Sequence, residues 1–166
     1  MDRIRTSSIV FAAALFALPP VVMAQERPPA SVDVHAGWIG FADDGIVSET
    51  MIGGATRWYV SPRFSIGPEL IYIAGSNHSH FVVTGNATFD LLRDRGITPF
   101  LVIGGGLFQT RENFPGMPSF TSNEGAFTAG GGVRVATGDR VTLGLDVRMG
   151  WEPHVRVNGV LGIRLF

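Results

Sequence analysis

The chain has no cysteine and no lysine, and only 16% of its 166 residues are charged, against about 25% in an ordinary soluble domain. Without cysteine, the disulfides that often hold a small domain together in an oxidising compartment are excluded, so another stabilising device is required. A formal net charge of −1 argues against nucleic acid as a partner. Beyond the first two dozen residues there is no long apolar run and no convincing amphipathic helix, which excludes a helical membrane span there. Glycine is abundant instead, with 22 residues where about 7% of a chain is usual. Low charge without a long apolar run suits two designs. One is a membrane barrel whose apolar face is spread over alternate residues; the other is a compact secreted β-domain.

The amino terminus reads as a secretory address. Arg3 and Arg5 give a positive start, residues 9–18 are almost wholly apolar, and Val22-Met23-Ala24 supplies modest side chains for cleavage after Ala24. Pro19-Pro20 cuts the apolar run well short of the ~20 residues a helical span needs. Residues 1–24 are therefore expected to be a cleaved signal peptide and residues 25–166 one domain, with Pro28 and Pro29 in a short extended lead-in.

Downstream of Ala30 the dominant period is two. Phe81, Val83, Gly85, Ala87, Phe89 and Leu91 share one face, with Thr84, Asn86, Thr88 and Asp90 on the other. Val141, Leu143, Leu145, Val147 and Met149 oppose Thr142, Gly144, Asp146 and Arg148; Val155, Val157, Leu161, Ile163 and Leu165 oppose Arg156, Asn158, Gly162 and Arg164. Such alternation marks strands with one apolar and one polar side. Weaker segments at 31–41, 50–60, 64–74, 98–109 and 126–136 bring the expected total to eight strands, and the phase of 98–109 is ambiguous because both faces are apolar. Most are near the ~9–11 residues that a tilted strand needs to cross a bilayer.

Connections alternate as well. Residues 61–63, 93–96 and 137–140 are tight and polar, whereas 42–49, 75–79 and 110–123 are longer; the last connection, 150–154, is brief and breaks the pattern. Short turns on one side and longer loops on the other are the habit of outer-membrane barrels. A soluble barrel turned the other way would carry more charge on its polar face than Gly, Thr and Ser provide. Aromatics also gather near the strand ends, Trp58, Phe64, Phe89 and Phe100 toward the turns and Trp38, Tyr72, Phe81, Phe108 and Trp151 toward the loops. Two such girdles are expected where rings meet lipid headgroups. The fold class that follows is all-β, an eight-stranded antiparallel up-and-down transmembrane β-barrel.

The Gly-rich strands, the segment Gly67-Pro68-Glu69-Leu70 after a Ser-Pro-Arg turn, and the ending Gly162-Ile163-Arg164-Leu165-Phe166 resemble the outer membrane protein β-barrel domain family. That family is similar to the small barrels of the OmpA and OmpX type. The resemblance covers roughly residues 25–166 and implies a bacterial outer-membrane location, with outer-membrane lipids and lipopolysaccharide as surroundings. It further implies that Leu161, Ile163, Leu165 and the closing Phe166 are the signal read by the barrel-assembly machinery. Strict alternation departs from the family here, because it turns Phe166 to the lumen side.

With the apolar faces toward lipid, the inward set comprises Asp33, His35, Arg57, Glu69, Asp90, Arg134, Asp146, Arg148, Arg156 and Arg164. A charge inside a narrow barrel must be paired, because one left alone costs several kcal/mol, and the arginine fork suits carboxylate pairing. The expected network is Arg57, Glu69, Arg134, Asp146, Arg148 and Arg156, with Glu69 and Asp146 mid-lumen among Arg134, Arg148 and Arg156. The alternative is that these charges only keep the inner face wet. External contacts are expected from Arg111, Asn113, Phe114, Met117 and Phe120.

Catalytic and metal sites are not expected, and neither is a cofactor. Some small outer-membrane barrels trim or acylate lipid A with a His and a Ser or Asp, and Asn77-His78-Ser79-His80 is the one suggestive cluster. Neighbours on a strand point to opposite faces, so His78 and Ser79 would not meet if the strand ran through them. His78 and His80 could share a metal, yet two ligands without a Cys or carboxylate neighbour are too few. His154 follows Glu152-Pro153 in an external loop and is expected to be solvated. Gly104-Gly105-Gly106 and Gly130-Gly131-Gly132 read as strand glycine. The favoured role is envelope support or adhesion, with a lipid A-modifying enzyme and a soluble periplasmic ligand-binding barrel as alternatives. Intact-mass spectrometry of the protein extracted from cells is expected to give a chain beginning at Gln25; an uncleaved amino terminus would remove the secretory reading.

Overall fold

The computed structural model describes residues 30–42, 46–76, 78–92, 96–112, 119–151 and 153–165. The expected signal peptide and Pro28-Pro29 lie outside them. Eight strands follow one another, β1 (Ala30–Ala42), β2 (Ile46–Tyr59), β3 (Phe64–Ala74), β4 (His78–Asp90), β5 (Ile97–Glu112), β6 (Phe120–Ala136), β7 (Val141–Gly150) and β8 (His154–Arg164). Each pairs antiparallel with its sequence neighbour, and β1 pairs with β8 from Ser31↔Arg164 to Phe41↔His154, closing the barrel. Closure leaves no strand edge unpaired, the condition for burying a sheet in lipid. The 11 residues of β3 extend about 37 Å at ~3.4 Å each, and a tilt of ~40° brings that to about 28 Å, the height of an apolar bilayer core.

Alternation sets what each strand shows. Val32, Val34 and Trp38 of β1, Leu70 and Tyr72 of β3, Leu143, Leu145 and Val147 of β7, and Leu161 and Ile163 of β8 are exposed on the outside. Asp33, His35, Glu69, Asp146, Arg148 and Arg156 are buried inside. This inverts a water-soluble domain, and it makes the fold a transmembrane barrel: an apolar exterior wrapping a polar interior is stable only in lipid. The phase of β5, ambiguous in the sequence, is decided by its neighbours. Leu101, Ile103 and Leu107 face out, while Phe100, Val102 and Phe108 face in.

That phase corrects the aromatic girdles. Trp58, Phe64 and Phe89 at the short-turn end, and Trp38, Tyr72, Phe81 and Trp151 at the other, are exposed, but Phe100 is 7% and Phe108 5% exposed. Phe108 joins Ile39, Met51, Ile71, Ile73 and Val82 in an apolar layer that fills the lumen toward the loop end, with Phe41 and Ala126 packed against it. Several strands also run further than the loop chemistry implied. β2 begins at Ile46, β4 at His78 and β6 at Phe120, and β5 continues to Glu112, so the connections are shorter than 42–49, 75–79 and 110–123. Ladder hydrogen bonds satisfy the backbone there whatever the polarity of the side chains.

Gly67 shows why the glycine of the Gly-Pro-Glu-Leu segment is needed. A Cβ at this position would strike the Thr56 carbonyl of β2, so the close approach of β2 and β3 requires glycine. Pro68 follows in a gap of the β2–β3 ladder between Ala55↔Glu69 and Trp58↔Ile66, where its missing N–H costs no bond.

Leu145, at the middle of β7 and 54% exposed, tests the orientation. Leu145→Arg is expected to destabilise the barrel in lipid vesicles by about 2–4 kcal/mol, read from urea unfolding followed by tryptophan fluorescence. An unchanged midpoint would contradict a lipid-facing β7.

Candidate functional site

The lumen below the apolar layer holds a matched set of charges. Glu69 on β3, only 1% exposed, is the hub. Its Oε1 accepts from Arg156 Nη2 at 2.9 Å, and its Oε2 from Arg148 Nη1 at 2.9 Å and Asn86 Nδ2 at 2.7 Å. Arg148 also donates through Nη2 to Asp146 Oδ2 at 2.6 Å. Asp146 and Arg148 stand two residues apart on β7, so they share a face and meet side by side. Glu69 reaches them across the barrel, which a diameter of eight strands just permits. His35 Nδ1 lies 3.8 Å from Glu69 Oε1 on the β1 side.

Two further pairs lie toward the short turns. Arg57 Nη2 donates to Asp33 Oδ1 at 2.9 Å across the β1–β2 hairpin. Arg134 Nη2 donates to Asp90 Oδ1 at 2.6 Å, Tyr59 O–H donates to Asp90 Oδ2 at 2.8 Å, and Arg134 Nη1 donates to the Tyr59 oxygen at 3.1 Å. The Arg134 guanidinium also stacks 4.2 Å from the centre of the Phe100 ring, a cation–π contact that rewards the inward turn of Phe100.

The structure thus brings Glu69, Asp146, Arg148 and Arg156 together, and it separates Arg134 from them. Arg134 sits with Asp90 and Tyr59, because β6 meets β4 across the lumen lower down. Asp33, Tyr59, Asn86 and Asp90 join the network beyond the residues expected from the sequence. Asp33 is accessible from the sequence, since pairing β1 with β2 around a short turn sets Asp33 opposite Ala55, diagonal to Arg57. The Asp90–Arg134 pair joins strands that are not neighbours and has no local signature. Arg164 is exposed at the turn-side mouth, where it lines an open cavity of about 560 Å³ with Ser31, Tyr59 and Thr142.

Asp33, Glu69, Asp90 and Asp146 carry four negative charges, and Arg57, Arg134, Arg148 and Arg156 carry four positive ones. Below the apolar layer these charges balance one another. Voids of only about 20 and 30 Å³ remain in the apolar layer and around the Asp33–Asp146 level, room for a water or two each.

The other sequence-derived positions divide. Arg111 is exposed on β5, paired with Thr121, and Phe120 is exposed at the start of β6; Asn113, Phe114 and Met117 lie outside the described residues. Leu161, Ile163 and Leu165 are exposed on the lipid side of the last strand, and Phe166 lies outside the described residues. His154 departs from expectation. It opens β8, is buried, and packs 5.6 Å from the Phe41 ring with its Nδ1 3.0 Å from the Trp151 carbonyl oxygen. His78, Ser79 and His80 belong to β4 and no loop, with His78 and His80 on one face.

No family profile and no curated protein sequence matches the chain. Solved structures do. Neisserial surface protein A superposes with a TM-score of 0.68 at 10% identity, covering 83% of this chain and 97% of that one. Ail, the attachment invasion locus protein of Yersinia pestis, solved with the heparin analogue sucrose octasulfate, gives 0.63 at 9% identity over 84% and 99%. The N-terminal β-barrel domain of Pseudomonas aeruginosa OprF gives 0.60 at 13% identity over 81% and 97%. At these identities the likeness establishes the fold, that of the small eight-stranded outer-membrane barrels.

Glu69→Gln would leave Arg148 and Arg156 facing a neutral group in a closed space. The variant is expected to lose about 3–5 kcal/mol and to lower the temperature at which the folded, fast-migrating gel band disappears. Unchanged heat resistance would reduce the network to charges that merely wet the inner face.

Proposed function

We propose that the protein is a bacterial outer-membrane barrel that supports the envelope and makes contacts through its outer rim, and that it does not serve as a pore. The observation that carries this reading is the filled lumen. An apolar layer and a neutralised charge layer lie in series across the passage, so an ion would have to displace both. Membrane placement is supported by the exposed apolar exterior and by the fold shared with outer-membrane proteins. In this reading outer-membrane lipids and lipopolysaccharide surround the barrel, the barrel-assembly machinery inserts it, and residues 1–24 direct it across the inner membrane.

The adhesive component is supported by strand length. β5 and β6 have 16 and 17 residues, several more than the ~9–11 that cross a bilayer, and they lift Arg111 and Phe120 clear of the membrane beside residues 113–119. Ile46, at the loop-side end of β2, is also highly exposed. Ail, an attachment invasion locus protein by its name, offers the parallel of a small barrel associated with attachment. Catalysis is no part of the reading.

Cell fractionation is expected to place the protein in the outer membrane, needing detergent for release; recovery in soluble periplasm would overturn membrane placement. Replacing residues 113–119 with a two-residue Asn-Gly turn keeps the β5–β6 ladder up to Glu112↔Phe120 and is expected to weaken surface binding or envelope resistance while the barrel still folds. An unchanged phenotype would remove the adhesive role. In planar bilayers the purified protein is expected to show no stable conductance.

A further inference from the structure

Five carboxylates are buried among the described residues, and four of them face arginine: Asp33, Glu69, Asp90 and Asp146. The fifth, Glu49 on β2, faces imidazoles. Its side chain is 3% exposed, its Oε1 touches His78 Nε2, and its Oε2 lies 3.7 Å from His80 Nε2. Among the described residues, no other donor reaches either oxygen. A buried carboxylate without a permanent cation is costly, and this one sits between two nitrogen ligands.

We propose that Glu49, His78 and His80 form a binding site for a divalent first-row transition metal of the zinc class at the loop-side mouth of the barrel. His78 and His80 are two residues apart on β4, so both turn to the lumen side, while β2 delivers Glu49 from two strands away. This supplies the carboxylate that the sequence reading found missing. The three donor atoms lie within 4.8 Å of one another, and side-chain adjustment brings them to the ~2.0–2.2 Å of a zinc–ligand bond. Two imidazoles and one carboxylate select zinc-like ions over Mg²⁺ and Ca²⁺, which prefer all-oxygen sites.

Three features outside the ligand set serve the site. His80 Nδ1 is 2.9 Å from Thr110 Oγ1; with Nδ1–H donating to that hydroxyl, the Nε2 lone pair points toward Glu49, the usual support of a metal-bound histidine. Gly75 lies beneath the junction, and a Cβ there would strike both Glu49 Oε1 and the His78 ring, so glycine keeps the cradle open. Glu112 stands opposite His78 in the β4–β5 ladder, adding negative charge beside a dication. A surface hollow of about 350 Å³ bounded by Val47, Ser48, Ala74 and Ser76 adjoins Glu49 and His78. Through it the fourth coordination position is open to water or to a donor atom from outside.

The test is a titration of the mature, tag-free chain in detergent micelles after chelator treatment, with Co²⁺ followed by visible absorption and Zn²⁺ by calorimetry. One Co²⁺ per barrel is expected, with intense low-symmetry absorption that Zn²⁺ bleaches and excess Mg²⁺ or Ca²⁺ does not. Glu49→Gln and His80→Ala are expected to abolish this signal, and Thr110→Val to weaken affinity roughly ten- to a hundredfold. His154→Ala should leave it unchanged. Heat-shifted gel mobility identifies folded variants, and if the buried substitutions misfold, His78→Ala at the more exposed ligand takes their place. Absence of saturable uptake by the native chain overturns the site, as does uptake that survives loss of these ligands in folded protein. The titration involves no partner and no cell, so its failure leaves the envelope reading standing, and the converse holds.

Discussion

An arginine enclosed in an eight-stranded barrel has little water to fall back on, and its carboxylate must come from whichever strand stands opposite. Glu69 meets that need for two arginines at once, on β7 and β8, and is held in turn by Asn86 of β4. Side chains of β1, β4, β7 and β8 therefore converge on one carboxyl group of β3. Loss of any partner leaves a charge that solvent cannot reach, which couples strands that share no ladder. In a chain with no disulfides, this cross-lumen coupling is the available substitute for covalent staples. Arginine serves throughout and lysine nowhere, consistent with the value of a planar fork that can hold two acceptors in a space too narrow for hydrated ammonium.

The apolar residues are divided between two tasks. Most are outside, where they match lipid tails and pack across the ladder, as Leu143 does opposite Leu161. A smaller group, Ile39, Met51, Ile71, Ile73, Val82 and Phe108, packs inside toward the loop end. It separates the neutralised charge layer from the histidines and Glu49 at the mouth. That boundary explains why Glu49 is buried yet isolated from the arginines below it. The interior thus has three levels of different chemistry, namely an acid–histidine rim, an apolar layer and an acid–arginine layer.

Strand length adds a second division along the barrel axis. The turn-side connections are short, while β5 and β6 overrun the membrane on the other side. The outer rim is therefore built of hydrogen-bonded strand as much as of loop, and side chains such as Arg111 and Phe120 are presented from a firm ladder. Side chains held in this way keep less conformational freedom than those of a free loop.

Alternation with a period of two was enough to establish eight strands, their order and which face of most of them is apolar, because side-chain direction along a strand is set by the pleat alone. The scarcity of charge then pointed the apolar faces outward, and Phe64–Ala74 was delimited to the residue. Where both faces of a strand are apolar, as in β5, the pleat cannot choose, and only pairing with β4 and β6 turned Phe100 and Phe108 inward. Loop chemistry misplaced His78, Ser79 and the ends of β2, β5 and β6, since ladder bonds form regardless of side-chain polarity. Which acid meets which arginine was settled by the closed cross-section: Asp90 with Arg134, Glu69 with Arg148 and Arg156, and Glu49 with two histidines are contacts between strands that do not pair. Distances across a lumen depend on curvature and closure, and these are properties of the assembled sheet that no single segment encodes.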